Sequence, residues 1–197
     1  ADTTLSTDAD AAFTGDDGTG YSLASAGDVD NDGYEDVLIG AYLSSPVSNL
    51  EGTAYLLYGP VTADVDLTSA ADVIIDGENS GARLGISIAG IGEQGGAGSF
   101  DDMLIGTERD SYNSLSGNGV VYVLRGGSGL AASQSMPTDA DVTIWGAASG
   151  DRAGVEVAAA GDVDGDGSED VLIGAYYEST NDTNAGAAYL LYGPLNT

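Results

Sequence analysis

Apolar residues along this chain fall in short bursts set between runs of Gly, Asp, Asn and Ser, and no stretch keeps the spacing of an amphipathic helix. Three bursts are continuous: Val37-Leu-Ile39, Met103-Leu-Ile105 and Val171-Leu-Ile173. Apolar at every position and too short for a helix, they read as strands buried on both faces. Before each of them, residues 21–26, 85–89 and 154–158 alternate small and larger side chains, as a crowded strand near a central axis should. A third strand carries Tyr55 to Tyr58 and its equivalents; a fourth carries Val73-Ile-Ile75 and Val142-Thr-Ile-Trp145. Turn-forming residues bound each of these runs.

The order of elements repeats. Asp36-Val-Leu-Ile-Gly40 returns as Asp102-Met-Leu-Ile-Gly106 and Asp170-Val-Leu-Ile-Gly174, at spacings of 66 and 68. Gly52-Thr-Ala-Tyr-Leu-Leu-Tyr-Gly59 returns as Gly119-Val-Val-Tyr-Val-Leu-Arg-Gly126 and Gly186-Ala-Ala-Tyr-Leu-Leu-Tyr-Gly193, spaced 67 and 67. A third signature, Asp10-Ala-Ala-Phe-Thr-Gly15, reappears as Asp72-Val-Ile-Ile-Asp-Gly77 and Asp141-Val-Thr-Ile-Trp-Gly146. A fixed period of this length decides architecture. It predicts an all-β chain of three four-stranded antiparallel propeller blades. The expected divisions are residues 1–15, which supply an outer fourth strand, then blades over 16–77, 78–146 and 147–197, the last lacking a fourth strand of its own.

Ahead of the first and third continuous bursts lies an acidic loop, Asp28-Val-Asp30-Asn-Asp32-Gly33-Tyr34-Glu-Asp36 and Asp162-Val-Asp164-Gly-Asp166-Gly167-Ser168-Glu-Asp170. Carboxylates at loop positions 1, 3, 5 and 9, with glycine at 6, can gather the six to eight oxygens that Ca2+ takes at roughly 2.3–2.6 Å. Tyr34 and Ser168, at position 7, would add main-chain carbonyls. The helix–loop–helix calcium motif needs a bidentate Glu at position 12, where this chain has Ile39 and Ile173. Each loop is therefore expected to hold one Ca2+ and to run into a β-strand.

Composition narrows the chemistry. The chain has neither Cys nor His, and its four basic residues are all Arg against 32 acidic ones, a formal charge of −28. Thiol nucleophiles, disulfides and zinc–thiolate sites are excluded, and the usual general base is absent. An acidic surface of this density does not bind nucleic acid, and no segment is long and apolar enough for membrane insertion. A glycosidase-like carboxylate pair is the enzyme reading left, but no two acids outside the loops stand apart, so an enzyme is not expected.

In their order, the acidic loop, the Val-Leu-Ile-Gly-Ala strand and the Gly-x-x-Tyr-Leu-Leu-Tyr-Gly strand resemble the FG-GAP repeat of integrin α-subunit propellers and their bacterial secreted relatives, over roughly residues 9–194. The resemblance implies structural Ca2+ on the face of the strand 1–2 loops, ligand contacts on the opposite face, and an extracellular or cell-surface location. The pattern departs at Gly20-Tyr21, Leu84-Gly85 and Ala153-Gly154 in place of Phe-Gly, and at Gly40-Ala-Tyr42, Gly106-Thr-Glu108 and Gly174-Ala-Tyr176 in place of Gly-Ala-Pro. The middle repeat has lost its Asp triplet. Glu93, Asp101 and Asp102 could collect an ion there, but its glycine-rich loop is expected to close without one, leaving two Ca2+ sites in all.

Propellers close with about four to eight blades, so three leave two flanks open. Strand exchange through the N-terminal segment is expected to complete the last blade, making a homo-oligomer that is a six-bladed ring or an open filament. A protein or glycan ligand is expected on the face opposite the acidic loops, where Tyr42, Tyr112, Tyr176 and Tyr177 fall and where Asn181-Asp-Thr183 forms a glycosylation sequon. The function these features imply is a secreted calcium-binding module for adhesion or extracellular assembly. Its alternatives are a filament or coat subunit, or a fragment of a larger integrin-like propeller.

Overall fold

A computed structural model describes residues 4–95, 99–180 and 182–195. In chain order the elements are α1 (Leu5–Asp8), β1 (Phe13–Thr14), β2 (Thr19–Gly27), β3 (Asp36–Ala41), β4 (Thr53–Leu57), β5 (Val65–Asp66), α2 (Leu67–Ala70) and β6 (Val73–Gly77). They continue as β7 (Ser87–Gly90), β8 (Met103–Thr107), β9 (Val120–Leu124), β10 (Ser133–Met136), β11 (Val142–Trp145), β12 (Ala153–Gly161), β13 (Asp170–Ala175) and β14 (Ala187–Leu191). The described residues are all-β apart from two single helical turns.

Three propeller-like sheets follow the repeats. The first has the order β10-β6-β4-β3-β2, the second β11-β9-β8-β7 and the third β12-β13-β14. Neighbours are antiparallel except at the edge of the first sheet, where β10 runs parallel to β6 with Gln134 opposite Ile75. No sheet closes on itself. The N-terminal segment, expected as an outer strand for another chain, here forms β1, which lies parallel to β5 with Phe13 opposite Val65.

The first two continuous bursts are apolar throughout because their strands lie between two cores, whereas in the third Val171 and Ile173 are buried and Leu172 is exposed. Along β3, Leu38 points into a cluster shared with Ile88 and Ile105 of the second sheet. Its neighbour Ile39 points the other way, into a cluster closed by Leu67, Phe13 and Val65. Along β8, Ile105 belongs to the cluster with the first sheet, and Leu104 to one shared with Val157 and Ile173 of the third. Successive residues of a strand face opposite sides, so adjacent apolar residues serve successive interfaces. Glycines bring the sheets close: a β-carbon on Gly106 would run into Ser87 and the carbonyl of Gly154.

Candidate metal centre

The acidic loops are the β2–β3 and β12–β13 connections, and each is built by its own carboxylates. Asp28 accepts from the amides of Asp32 (2.9 Å) and Gly33 (3.0 Å), while Asp162 accepts from those of Asp166 and Gly167 (both 3.0 Å). Asp30 and Asp164 each accept from the amide two residues on, at 3.1 Å. Asp32 and Asp166 do the same for the amides of Tyr34 (2.9 Å) and Ser168 (2.8 Å), the residues whose carbonyls are the expected main-chain ligands. Short acidic side chains bonding their own backbone in this way make a tight turn. Gly33 and Gly167 sit at φ 93° and 97° with nothing near a would-be β-carbon, so backbone conformation alone selects glycine there.

The ninth-position aspartates do something different. Asp36 is buried, and its two carboxylate oxygens accept from the amides of Val29 and Gly59, both at 2.8 Å. Asp170 repeats this with Val163 (2.7 Å) and Gly193 (2.9 Å), and Asp102 with Gln94 (2.9 Å) and Gly126 (2.8 Å). All three repeats thus staple the loop to the exit of the third strand. In the middle repeat the staple stands without the triplet. Burial pushes the Asp36 carboxyl up, the Gly59 and Val29 amides oppose this, and the charges of Asp30 and Asp28 raise it further.

In the first loop, Asp28, Asp30 and Asp36 place oxygens within 4.8 Å of one another; in the second, Asp162, Asp164 and Asp166 do. Oxygens that ligate one Ca2+ lie at most about 5 Å apart, so both clusters fit a single ion. Asp32 and Asp170, also expected as ligands, stand outside these two groups. The middle repeat uses its acids for structure instead. Asp101 accepts from the amide of Asp28 (2.9 Å), tying that repeat to the first loop. Gln94, fully buried, donates to the carbonyls of Ile91 and Glu169 (both 2.9 Å) and accepts from the Leu195 amide (3.1 Å). The signal for Asp101 was present in the sequence, since an acid precedes the ninth-position Asp in every repeat.

On the opposite face the tyrosines are packed in pairs. The Tyr42 ring lies 4.3 Å from Tyr21, Tyr112 lies 4.7 Å from Trp145, and Tyr176 lies 4.3 Å from Tyr177. Arg83 covers Tyr42, and Arg152 covers Tyr176 and Tyr177. Three arginines converge on buried Glu108: Arg83 at 3.0 Å, Arg109 at 3.4 Å and Arg152 at 3.7 Å. This cluster pins the second and third sheets together where the sequence showed only scattered basic residues. Asn181 of the sequon lies outside the described residues.

The profile of the FG-GAP repeat family matches residues 19–57 and 153–191. These spans open at the first residues of β2 and β12 and close at the last residues of β4 and β14. The chain carries FG-GAP repeats. Integrin alpha-PS2 of Drosophila melanogaster is 33% identical to it over 164 residues, which is 80% of this chain and 11% of that protein. The chain therefore spans a small part of the curated relative it matches. Both FG-GAP matches contain an acidic loop with a clustered triad, while the middle repeat, with its glutamine-stapled loop, lies outside them.

Proposed function

We propose that this chain is an extracellular integrin-like propeller module for adhesion or assembly, with Ca2+ as a structural cofactor in the Asp28 and Asp162 loops. The observation that carries the reading is the pair of carboxylate triads on turns already closed by Asx hydrogen bonds. The Asx hydrogen bonds hold the backbone of each loop in the turn that gathers the acids, and a bound ion would offset their mutual repulsion. Extracellular calcium modules bind with Kd near 10⁻⁴–10⁻³ M, so millimolar Ca2+ suits a surface or secreted setting. At about a hundred times Kd, each ion contributes roughly 2.7 kcal/mol, a large share of an ordinary domain's stability.

The test is a thermal melt with Ca2+ and with a calcium chelator. The midpoint is expected to fall by many degrees on chelation and to recover with added Ca2+; equal midpoints would overturn the reading. A filament or coat subunit is a second reading, favoured by the apolar side chains left exposed on the outer sheets, Leu23 on the first and Leu172 and Leu190 on the third. A part in a larger integrin-like propeller fits the same surfaces. The face opposite the loops, with its Tyr and Arg pairs, is where a protein or glycan ligand would meet the module.

A further inference from the structure

The repeats assign a partner to the two open flanks. At the junction of the first and second sheets, Leu38 and Leu56 meet Ile88 and Ile105 in one cluster. At the next junction the equivalent residues Leu104 and Val123 meet Val157 and Ile173. One repeat further on, the third sheet offers Leu172 and Leu190, 41% and 40% exposed. The residues equivalent to the other half of each junction are Leu23, 68% exposed, and Ile39, only 1% exposed where it packs against Phe13 and Leu67 in an apolar groove that Leu23 also lines. The chain thus presents both halves of its own internal interface, one at each end of the stack.

The strand edges agree. In the first two sheets the fourth strand docks by the same bonds: Asp72 N to Leu56 O (3.1 Å) and Asp141 N to Val123 O (2.9 Å), then Gly77 N to Gly52 O and Gly146 N to Gly119 O (both 3.1 Å or less). The Asp72 and Asp141 carboxylates each accept from the amide that ends the third strand, of Tyr58 and Arg125, at 2.8 Å. β14 has no fourth strand among the described residues, and a groove lined by Ile144, Trp145 and Tyr189 runs beside it. β1 has the sequence of a fourth strand. It also already holds the outer neighbour of one: β5 flanks β1 in parallel as β10 flanks β6, and Leu67 and Met136, at equivalent positions, are both buried. Gly15 fits as well, because the equivalent Gly77 and Gly146 press against the carbonyls of Glu51 and Asn118, where no β-carbon would fit.

We propose that the third sheet of one copy docks onto the first sheet of a second copy. β14 then takes the partner's β1 as its antiparallel fourth strand, with Ala188 opposite Phe13 of the partner subunit. Asp10 caps Tyr192 N across the junction, and Leu172 and Leu190 bury against Leu23 and Ile39. Three sheets from each of two copies make six, within the four to eight with which propellers close, so two such junctions complete a ring. One position differs. Ser22 and Ser87 donate to the carbonyls of Gly85 and Gly154 across the internal junctions, at 2.7 and 2.8 Å, where the third sheet has exposed Glu156. A carboxylate cannot donate that bond, so Glu156 weakens the junction. The inference depends on packing and register, independently of the calcium reading.

The experiment uses the 197-residue chain in Ca2+-containing buffer. Its solution mass is expected to be twice the 19.6 kDa of one chain. The chain has no cysteine, so Thr14→Cys with Ala187→Cys, a directly opposed pair in this register, is expected to give a covalent dimer on oxidation. Thr14→Cys with Ala188→Cys, one residue out of register, is expected to cross-link far less. Glu156→Ser, at an exposed position, is expected to raise the dimer fraction at low protein concentration. A monomeric mass with no in-register cross-link overturns the proposal and gives the β14 edge to another partner. A ladder of covalent species above the dimer overturns closure at two copies.

Discussion

At the scale of single residues, the aspartates of the loops divide into two kinds by their place in the repeat. Asp164 is exposed and accepts only from a neighbouring turn amide, so its main consequence is a charge aimed at the loop centre. Asp102 is buried and satisfies two backbone amides, Gln94 and Gly126. Asp164→Ala is expected to leave the calcium-free stability within about 0.5 kcal/mol of the parent while reducing the gain on adding Ca2+. Asp102→Ala is expected to cost about 2–6 kcal/mol, since each of its two orphaned amides costs about 1–3, with the response to Ca2+ intact. Chemical denaturation of both variants with and without Ca2+ checks this. The triplets were legible in the sequence because their partners are two to five residues away. The staples were not, because the amides of Gly59, Gly126 and Gly193 lie 23 or 24 residues from their acceptors.

At the scale of elements, what matters is how near one sheet can come to the next. Gly117 and Gly119 share a loop and both have positive φ, 59° and 75°, but only Gly119 lies against the backbone of Arg152 and Ala153 in the following sheet. Gly117→Ala is expected to cost about 1–2 kcal/mol for the left-handed backbone alone. Gly119→Ala is expected to lose a further 1–3 kcal/mol or more, because the sheets must part to admit the methyl group. Comparing the two denaturation midpoints isolates the contact between sheets. The inner, second, third and fourth strands follow the sequence pattern. β5 and β10 do not, since Ser133-Gln-Ser-Met136 is polar and becomes a strand through pairing with β6. The single turn α2 was equally hidden; it is held by its Asp66 cap, whose side chain accepts from the Thr68 amide at 3.1 Å.

At the scale of the whole molecule, a charge of −28 on 197 residues with four cations opposes compaction in every part of the chain. Three of those cations are gathered on Glu108, while Asp28 and Asp162 of the acidic loops accept from backbone amides. Two Ca2+ would bring the formal charge only to −24, but they would act where the carboxylates are closest. In chelator, raising NaCl from 0.1 to 1 M shortens the screening length from about 10 to 3 Å and is expected to raise the melting midpoint. With Ca2+ bound, the same salt step is expected to raise it less. A midpoint insensitive to salt in chelator would show that repulsion does not govern this fold.

The sequence by itself determined the repeat, its strand order and the two loops, because each of these is written in side chains a few positions apart whose turn and pleat preferences are local. Tertiary structure decided the rest: which acids become staples, how Gln94 replaces a missing loop, and where three of the four arginines meet. It also decided that β1 lies beside β5 while Leu172, Leu190 and Leu23 remain uncovered. Those outcomes depend on which sheet packs against which, and a chain records that only as complementary surfaces that become visible once the sheets are stacked.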